Sequence, residues 1–166
     1  DKISGVVYNV LTENFPFMSI DGSVCFFVLY HYELNAILVK PIANVDDRSI
    51  YEAYKEVFET LEAKGYKPKM NVMDNQATKY IKQFLTKKEC KLQVVEPHNH
   101  CVNAAERAIQ TFKDAFIATL ATTDRDFPLQ LWDKLAPQVQ DTLNLLRASR
   151  INPDISAYEA LNGPYN

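Results

Sequence analysis

Asp74 ends a short β-rich run, Asn71-Val72-Met73, and precedes Asn75-Gln76, where a helix is expected to begin. A carboxylate at the C-terminal end of a strand, beside a helix start, points into an open crevice. The same position also suits an acid that does no more than stabilise a helix dipole. Glu106 lies in Asn103-Ala104-Ala105-Glu106-Arg107-Ala108-Ile109-Gln110. At ~100° per residue, the core stripe of that helix is Ala105, Ile109, Phe112, Phe116 and Leu120, with Glu106, Gln110 and Lys113 as a second stripe at its edge. An acid there reaches inward while its helix stays packed, and Lys113 is placed to meet a phosphate. The plainer reading of Glu106 is a solvated first-turn glutamate. The pair says more than either residue alone. The interval between them holds one helix, one strand and a loop, a layout that brings both acids to one edge of a sheet. Carboxylates so clustered hold two divalent cations ~4 Å apart, which activate an attacking oxygen and stabilise a leaving one.

The elements that would position these acids follow from the apolar pattern. Residues 6–11 are a short β-rich run. Residues 24–30, Val24-Cys25-Phe26-Phe27-Val28-Leu29-Tyr30, are almost continuously apolar and suit a strand buried on both faces. Asp21-Gly22 before it is a turn signal. A third strand runs over 36–39, with Pro41 as its stop. Residues 46–49 start a helix, and Ser49 with Glu52 has capping-box spacing. Its apolar stripe is Ile50, Tyr54, Val57, Phe58 and Leu61, and Gly65 is its stop. A fourth strand covers 69–73. Asn75 caps a helix carrying Tyr80, Ile81, Phe84 and Leu85, and a fifth strand covers 92–95, closed by Pro97. A long helix covers 103–120. Phe127-Pro128 opens another, with Leu131, Leu135, Val139, Leu143 and Leu146 on one face. Residues 151–166 hold at most a helical turn or two. Three antiparallel strands followed by helix, strand, helix, strand and helices is the order of an RNase H-like α/β fold. The expected sheet is five-stranded and mixed, in order 3-2-1-4-5, with helices on both faces.

Length and composition narrow the function classes. At 166 residues the chain fits one domain, residues 1–166, and 47% apolar residues fill a core. No apolar run is as long as a membrane span, and the first residues lack a secretory pattern. Cys25, Cys90 and Cys101 are scattered and odd in number, which fits a reducing intracellular compartment better than a disulfide framework. A net charge of −3 argues against a simple DNA-coating protein. It leaves room for a DNA enzyme, whose carboxylates lower the charge and whose phosphate contacts need only a local basic patch. Lys79, Lys82, Lys87, Lys88 and Lys91 cluster around the second helix, as either a solvated face or a DNA groove. His98, His100 and Cys101 are close in sequence but read more simply as loop residues than as a metal cluster. Trp132 reads as core or dimer interface, and Arg147 and Arg150 as C-terminal caps of the last long helix.

Met73-Asp74-Asn75-Gln76 resembles the second acid of the DDE signature of integrases. Val95-Glu96-Pro97-His98-Asn99-His100-Cys101-Val102-Asn103-Ala104-Ala105-Glu106-Arg107 resembles the loop and helix that bear the third acid. The latter stretch is similar to copia-like retrotransposon integrases, which follow a proline-histidine loop with Asn-Ala-Ala-Glu-Arg-Ala-Ile. Leu143-Asn144-Leu145-Leu146-Arg147-Ala148-Ser149-Arg150-Ile151-Asn152-Pro153 and Ser156-Ala157-Tyr158-Glu159-Ala160-Leu161-Asn162-Gly163 resemble the end of that core. The resemblance covers nearly the whole chain, and Asn-Ala-Ala-Glu-Arg is its most specific part. It implies the catalytic core of a retrotransposon or retroviral-type integrase, a fragment of a longer polyprotein. Asp74 and Glu106 would then be catalytic and metal-binding, with Mg²⁺ or Mn²⁺. Lys113, Arg107, Lys79 and Lys82 would touch nucleic acid. The partners would be DNA ends, target DNA and further copies in a homodimer or higher oligomer, with no membrane and a nuclear location in a eukaryote.

One departure from the family bears on chemistry. The first acid of the signature belongs in the first strand, which here reads Val6-Val7-Tyr8-Asn9-Val10-Leu11 and contains none. Aligned through Phe15-Pro16, the missing Asp falls on Val10, or on Asn9 with a one-residue slip. An amide binds Mg²⁺ more weakly than a carboxylate, and a valine does not bind it. Glu13 lies in the first hairpin and Asp21 in the turn before the second strand, and neither sits at the family's position. Two expectations follow: a polynucleotidyl transferase built on Asp74 and Glu106, or a degenerate core that survives as a DNA-binding or dimerising module.

Overall fold

The computed structural model describes residues 5–73, 79–94 and 100–164. Its strands are β1 (Val6–Leu11), β2 (Cys25–His31), β3 (Ala36–Ile42), β4 (Met70–Met73) and β5 (Lys91–Val94). Its helices are α1 (Asp47–Ala63), α2 (Lys79–Lys87), α3 (His100–Ala121), α4 (Ala136–Leu146) and α5 (Ala157–Asn162), with a 3-10 helix at Leu129–Leu135. The strands form one sheet in order β3-β2-β1-β4-β5. β1–β2 and β2–β3 pair antiparallel, while β1–β4 and β4–β5 pair parallel. This is the expected RNase H-like fold.

Every residue of β2 is buried, because β2 lies inside the sheet with a helical layer on each face. On one face Cys25, Phe27 and Leu29 pack against Tyr54, Val57, Phe58 and Leu61 of α1 and Ile81, Phe84 and Leu85 of α2. On the other, Phe26, Val28 and Tyr30 pack against Ala105, Ala108, Ile109, Phe112 and Phe116 of α3, with Trp132 and Val139. Among the described residues no helix is long and apolar enough to cross a membrane.

The structure corrects three local expectations and decides a fourth. The cap of α1 is Asp46, whose Oδ1 accepts the Ser49 N–H at 2.7 Å, so the helix starts before Ser49. Gly65 does end it, with the Tyr66 N–H on the Leu61 carbonyl and the Gly65 N–H on the Glu62 carbonyl, a Schellman arrangement. Pro41 does not stop β3, which continues to Ile42. β3 is an edge strand, and the N–H groups of Ile37 and Val39 turn outward to Asn144 Oδ1 at 2.9 Å and Gln140 Oε1 at 2.8 Å. Pro41 is next in that alternation, so its missing N–H falls on the free edge, where the ladder loses nothing. Arg147 holds the C-cap position of α4, but its guanidinium, like that of Arg150, is committed elsewhere. Arg147 Nη2 donates to Asn35 Oδ1 at 2.6 Å and Arg150 Nη1 to Tyr30 Oη at 2.7 Å, and together they brace the β2–β3 turn. Of the two places expected for Trp132, core or dimer interface, the structure has the core, where it is 0% exposed.

His31 gives the fold a pH dependence. It is 0% exposed, its Nδ1 accepts the Leu34 N–H at 3.2 Å, and its Nε2 is buried without a hydrogen-bond partner. Burial pushes its pKa from the ordinary 6.5 down to about 4, with nearby Glu33 pulling the other way. The unfolded chain therefore binds a proton on His31 between those two values while the folded chain does not. Stability is fully present above pH 6.5 and falls with the pH through that window. The loss by pH 4 is on the order of 3 kcal/mol. Urea unfolding at pH 7, 5.5 and 4.5 measures it. His31→Gln, which does not titrate, should flatten the profile over that range, and an unchanged slope in this variant would assign the pH dependence elsewhere.

Candidate metal and nucleic-acid edge

β1 and β4 run side by side and parallel, with Asn9 opposite Met73. Strand alternation sends successive side chains of β1 to opposite faces. Val7 and Leu11 pack with the α1 and α2 cluster, whereas Tyr8 and Val10 pack with the α3 cluster. Asn9 shares the phase of Val7 and Leu11. It lines a cleft of about 310 Å³ with Phe27, Ile50 and Met73 of the α1 side, a cleft that Val10 also borders. It is 3% exposed, and its Oδ1 is buried with no hydrogen-bond partner.

Glu106 lies in the second turn of α3 and is exposed, as are Arg107 and Gln110, while Lys113 is half-buried. The alanines at 104, 105 and 108 bring this stretch of α3 close against the sheet, since none exceeds 6% exposure. Ala105, Ile109, Phe112 and Phe116 form the buried stripe expected from the sequence, with Leu120 packed at its margin. Gln110 Nε2 donates to Asp114 Oδ1 at 2.9 Å along the outer face. Of the two positions that lack the first-strand acid, Val10 is therefore the one on the side of Glu106. Asn9 belongs to the opposite face.

Asp74 follows Met73 directly and lies outside the described residues, as do Asn75 and His98. The shared crevice expected for Asp74 and Glu106 thus rests, on the strand side, on where β4 ends. Among the described residues there is no group of three or more His, Cys, Asp or Glu side chains placed to hold a metal ion. The other acids near β1 are engaged or misplaced. Asp21 pairs with Lys134 and holds that ammonium above its ordinary pKa. Glu13 lines the α1-side cleft with Asn9. The end of β1 offers the α3 side a hydrocarbon side chain and the α1 side an enclosed amide. These residues do not fit a centre in which three carboxylates neutralise two divalent cations.

The predicted basic residues fall into two groups. Arg107 and Lys113 share α3 with Glu106. Lys79 and Lys82 are exposed on α2, which packs with α1 on the far face of the sheet. Sequence reasoning missed the orphaned Asn9 amide, and only its burial on the α1 side reveals it.

No protein-family model matches the sequence, and neither does any curated protein. The fold is similar to that of the HTLV-2 integrase catalytic core domain in complex with magnesium, with a TM-score of 0.69 at 16% identity over 96% of this chain and 97% of that one. It is similar to the catalytic core domain of BIV integrase, with a TM-score of 0.68 at 13% identity over 94% and 92%. A chain of the simian T-cell lymphotropic virus intasome in complex with PP2A regulatory subunit B56 gamma gives a TM-score of 0.71 at 12% identity, over 97% of this chain and 55% of that one. At such identities the likeness is one of fold, and it extends over nearly the whole of the chain.

Proposed function

We propose that this chain is an integrase-type core that serves DNA integration by holding DNA and by self-association, and that it has lost strand-transfer chemistry. The observation that carries this reading is Val10 on the α3 side of β1, facing the layer that bears Glu106. Asp74 and Glu106 remain as the acids of the site. Two Mg²⁺ or Mn²⁺ ions would bring four positive charges against their two negative ones, and the first strand adds none. Arg107 and Lys113, beside Glu106, are suited to phosphate, as the resemblance to copia-like integrases also suggests. The whole-length likeness to integrase cores supports DNA ends and target DNA as the partners, and a homodimer or higher oligomer as the working form.

Fluorescence anisotropy with a labelled DNA duplex tests the binding half of the proposal. Affinity should fall steeply with salt, and Lys113→Gln and Arg107→Gln should each lower the slope of log K against log salt by ~0.9. Duplex binding that ignores both substitutions would remove this face of α3 from the proposal. A strand-transfer assay in Mg²⁺ and Mn²⁺, on the chain joined to its native flanking domains, tests the chemical half. Robust product that Asp74→Ala abolishes would overturn the loss of activity.

A further inference from the structure

We propose that the groove between α1 and α2, on the sheet face away from Glu106, binds single-stranded nucleic acid. Its floor and walls are aromatic. Tyr80 projects from α2 and is 49% exposed. Tyr51 of α1 lies 5.9 Å from it, ring centre to ring centre, with the planes tilted by 36°. Phe84 lies beneath, 5.8 Å from Tyr51 and edge-on. Lys55 and Lys87 line the same groove and are exposed.

Charge in this region is uneven: three of its acids are paired, whereas Asp46 and Asp47, which line a second recess on Tyr80 with Arg48 and Glu52, form no ion pair among the described residues. Glu56 pairs with Lys40, Glu52 with Arg48, and Glu62 with Lys88 at 2.9 Å. Lys55, Lys79 and Lys87 form no ion pair among the described residues, and Glu59 is the one carboxylate among the residues that line the groove. At 100° per residue, Lys79 lies about 80° round α2 from Lys87, on the flank of the groove, and Lys82 about 140° round, away from it. The groove thus carries a surplus of positive charge on a chain whose net charge is −3.

A half-exposed tyrosine beside uncommitted lysines matches what an unstacked base and its phosphate require. Base–aromatic stacking needs a free π-face, which a duplex keeps inside its own stack, and flexible ammonium groups track a single-stranded backbone. An acidic peptide would use the lysines but has no need of the Tyr80 ring. The inference stands apart from the Glu106 edge and requires neither a metal nor strand transfer.

Anisotropy of a labelled oligothymidine of about 12 nucleotides, beside a duplex of equal length, tests it on the full chain. Tyr80→Ala should weaken oligothymidine binding by about tenfold or more and leave the duplex unchanged, while Tyr80→Phe stays near wild type. Lys55→Gln and Lys87→Gln should each reduce the salt slope by ~0.7. Glu59→Gln should tighten binding by removing the like charge. These surface lysine and glutamate variants keep the test valid if Tyr80→Ala disturbs packing against Tyr51. Oligothymidine affinity unaffected by all four substitutions would overturn the proposal, as would displacement by a polyglutamate peptide as effective as by oligothymidine. Loss of duplex binding in the α3 variants, with oligothymidine binding intact, separates this groove from the Glu106 face.

Discussion

Val10→Asp is expected to create strand-transfer activity that neither the wild-type chain nor Asn9→Asp possesses. The argument is geometric first and electrostatic second. Because β-strand side chains alternate, one residue of slip moves a carboxylate from one face of the sheet to the other. Val10 borders the cleft that Asn9 lines, but it packs with the α3 cluster, whereas Asn9 shares the phase of Val7 and Leu11 on the α1 side, so an acid at position 10 is the one that adds its charge to the layer that holds Glu106. A coordinating acid stabilises the transition state by several kcal/mol, and each ~1.4 kcal/mol is tenfold in rate, so the gain should be on the order of a hundredfold or more.

Asn9→Asp should instead lose stability, because it puts an ionisable carboxyl where the amide is 3% exposed and its oxygen has no partner. A second readout is independent of turnover. Mn²⁺ should raise the melting temperature of Val10→Asp more than that of the wild type, since a ligand that binds only the folded state stabilises it by mass action. Activity and metal-dependent stabilisation appearing in Asn9→Asp but not in Val10→Asp would reverse the assignment of faces.

That assignment was not legible in the sequence, for a physical reason. β1 lies between β2 and β4 with helices on both faces, so both phases of Val6-Val7-Tyr8-Asn9-Val10-Leu11 carry apolar residues and alternation carries no sign. Only the neighbours across the sheet say which phase faces α3. The topology itself was legible, because an antiparallel meander followed by alternating helices and strands leaves few arrangements. So was the buried stripe of α3, whose period is unbroken.

The apolar pattern after Phe127 predicts one helix, and the structure has two. Leu131 has φ −96° and ψ 19°, outside helical values, within a 3-10 stretch that precedes α4. Leu135, Val139 and Leu143 keep to the packed face, but Leu146, expected with them, is the last residue of α4 and is 78% exposed. Arg147 and Arg150 could not be placed from local pattern, because their partners on the β2–β3 turn are distant in sequence and meet them only after the chain folds back along the sheet edge. Asp46 and Ser49 are both competent helix caps, and sequence spacing alone could not choose between them.

Trp132→Ala is expected to cost about 3–5 kcal/mol of folding stability, a large share of the ~5–15 kcal/mol that holds a domain together. The indole stacks on Phe15 at 4.3 Å with a 17° tilt and meets Phe26 edge-on at 5.2 Å. Its Nε1–H donates to the Phe17 carbonyl at 3.1 Å. Next to it, the carboxylate of Asp133 accepts the Ser19 hydroxyl at 2.8 Å and the Ser23 hydroxyl at 2.9 Å. Residues 132 and 133 therefore pin the β1–β2 loop to the 3-10 helix and to the α3 layer, using one apolar and one polar contact set. Removing the ring leaves a cavity between β2 and α3 that backbone elements on both sides are too constrained to fill. Trp132→Phe keeps much of the apolar area and should cost nearer ~1–2 kcal/mol, chiefly for the carbonyl left without its donor. Urea unfolding followed by far-UV circular dichroism, at two protein concentrations well apart, distinguishes a core residue from an interface residue. A core role lowers the midpoint equally at both concentrations. A midpoint unchanged from wild type, with weakened self-association in sedimentation, would return Trp132 to the dimer interface and contradict its place in the core.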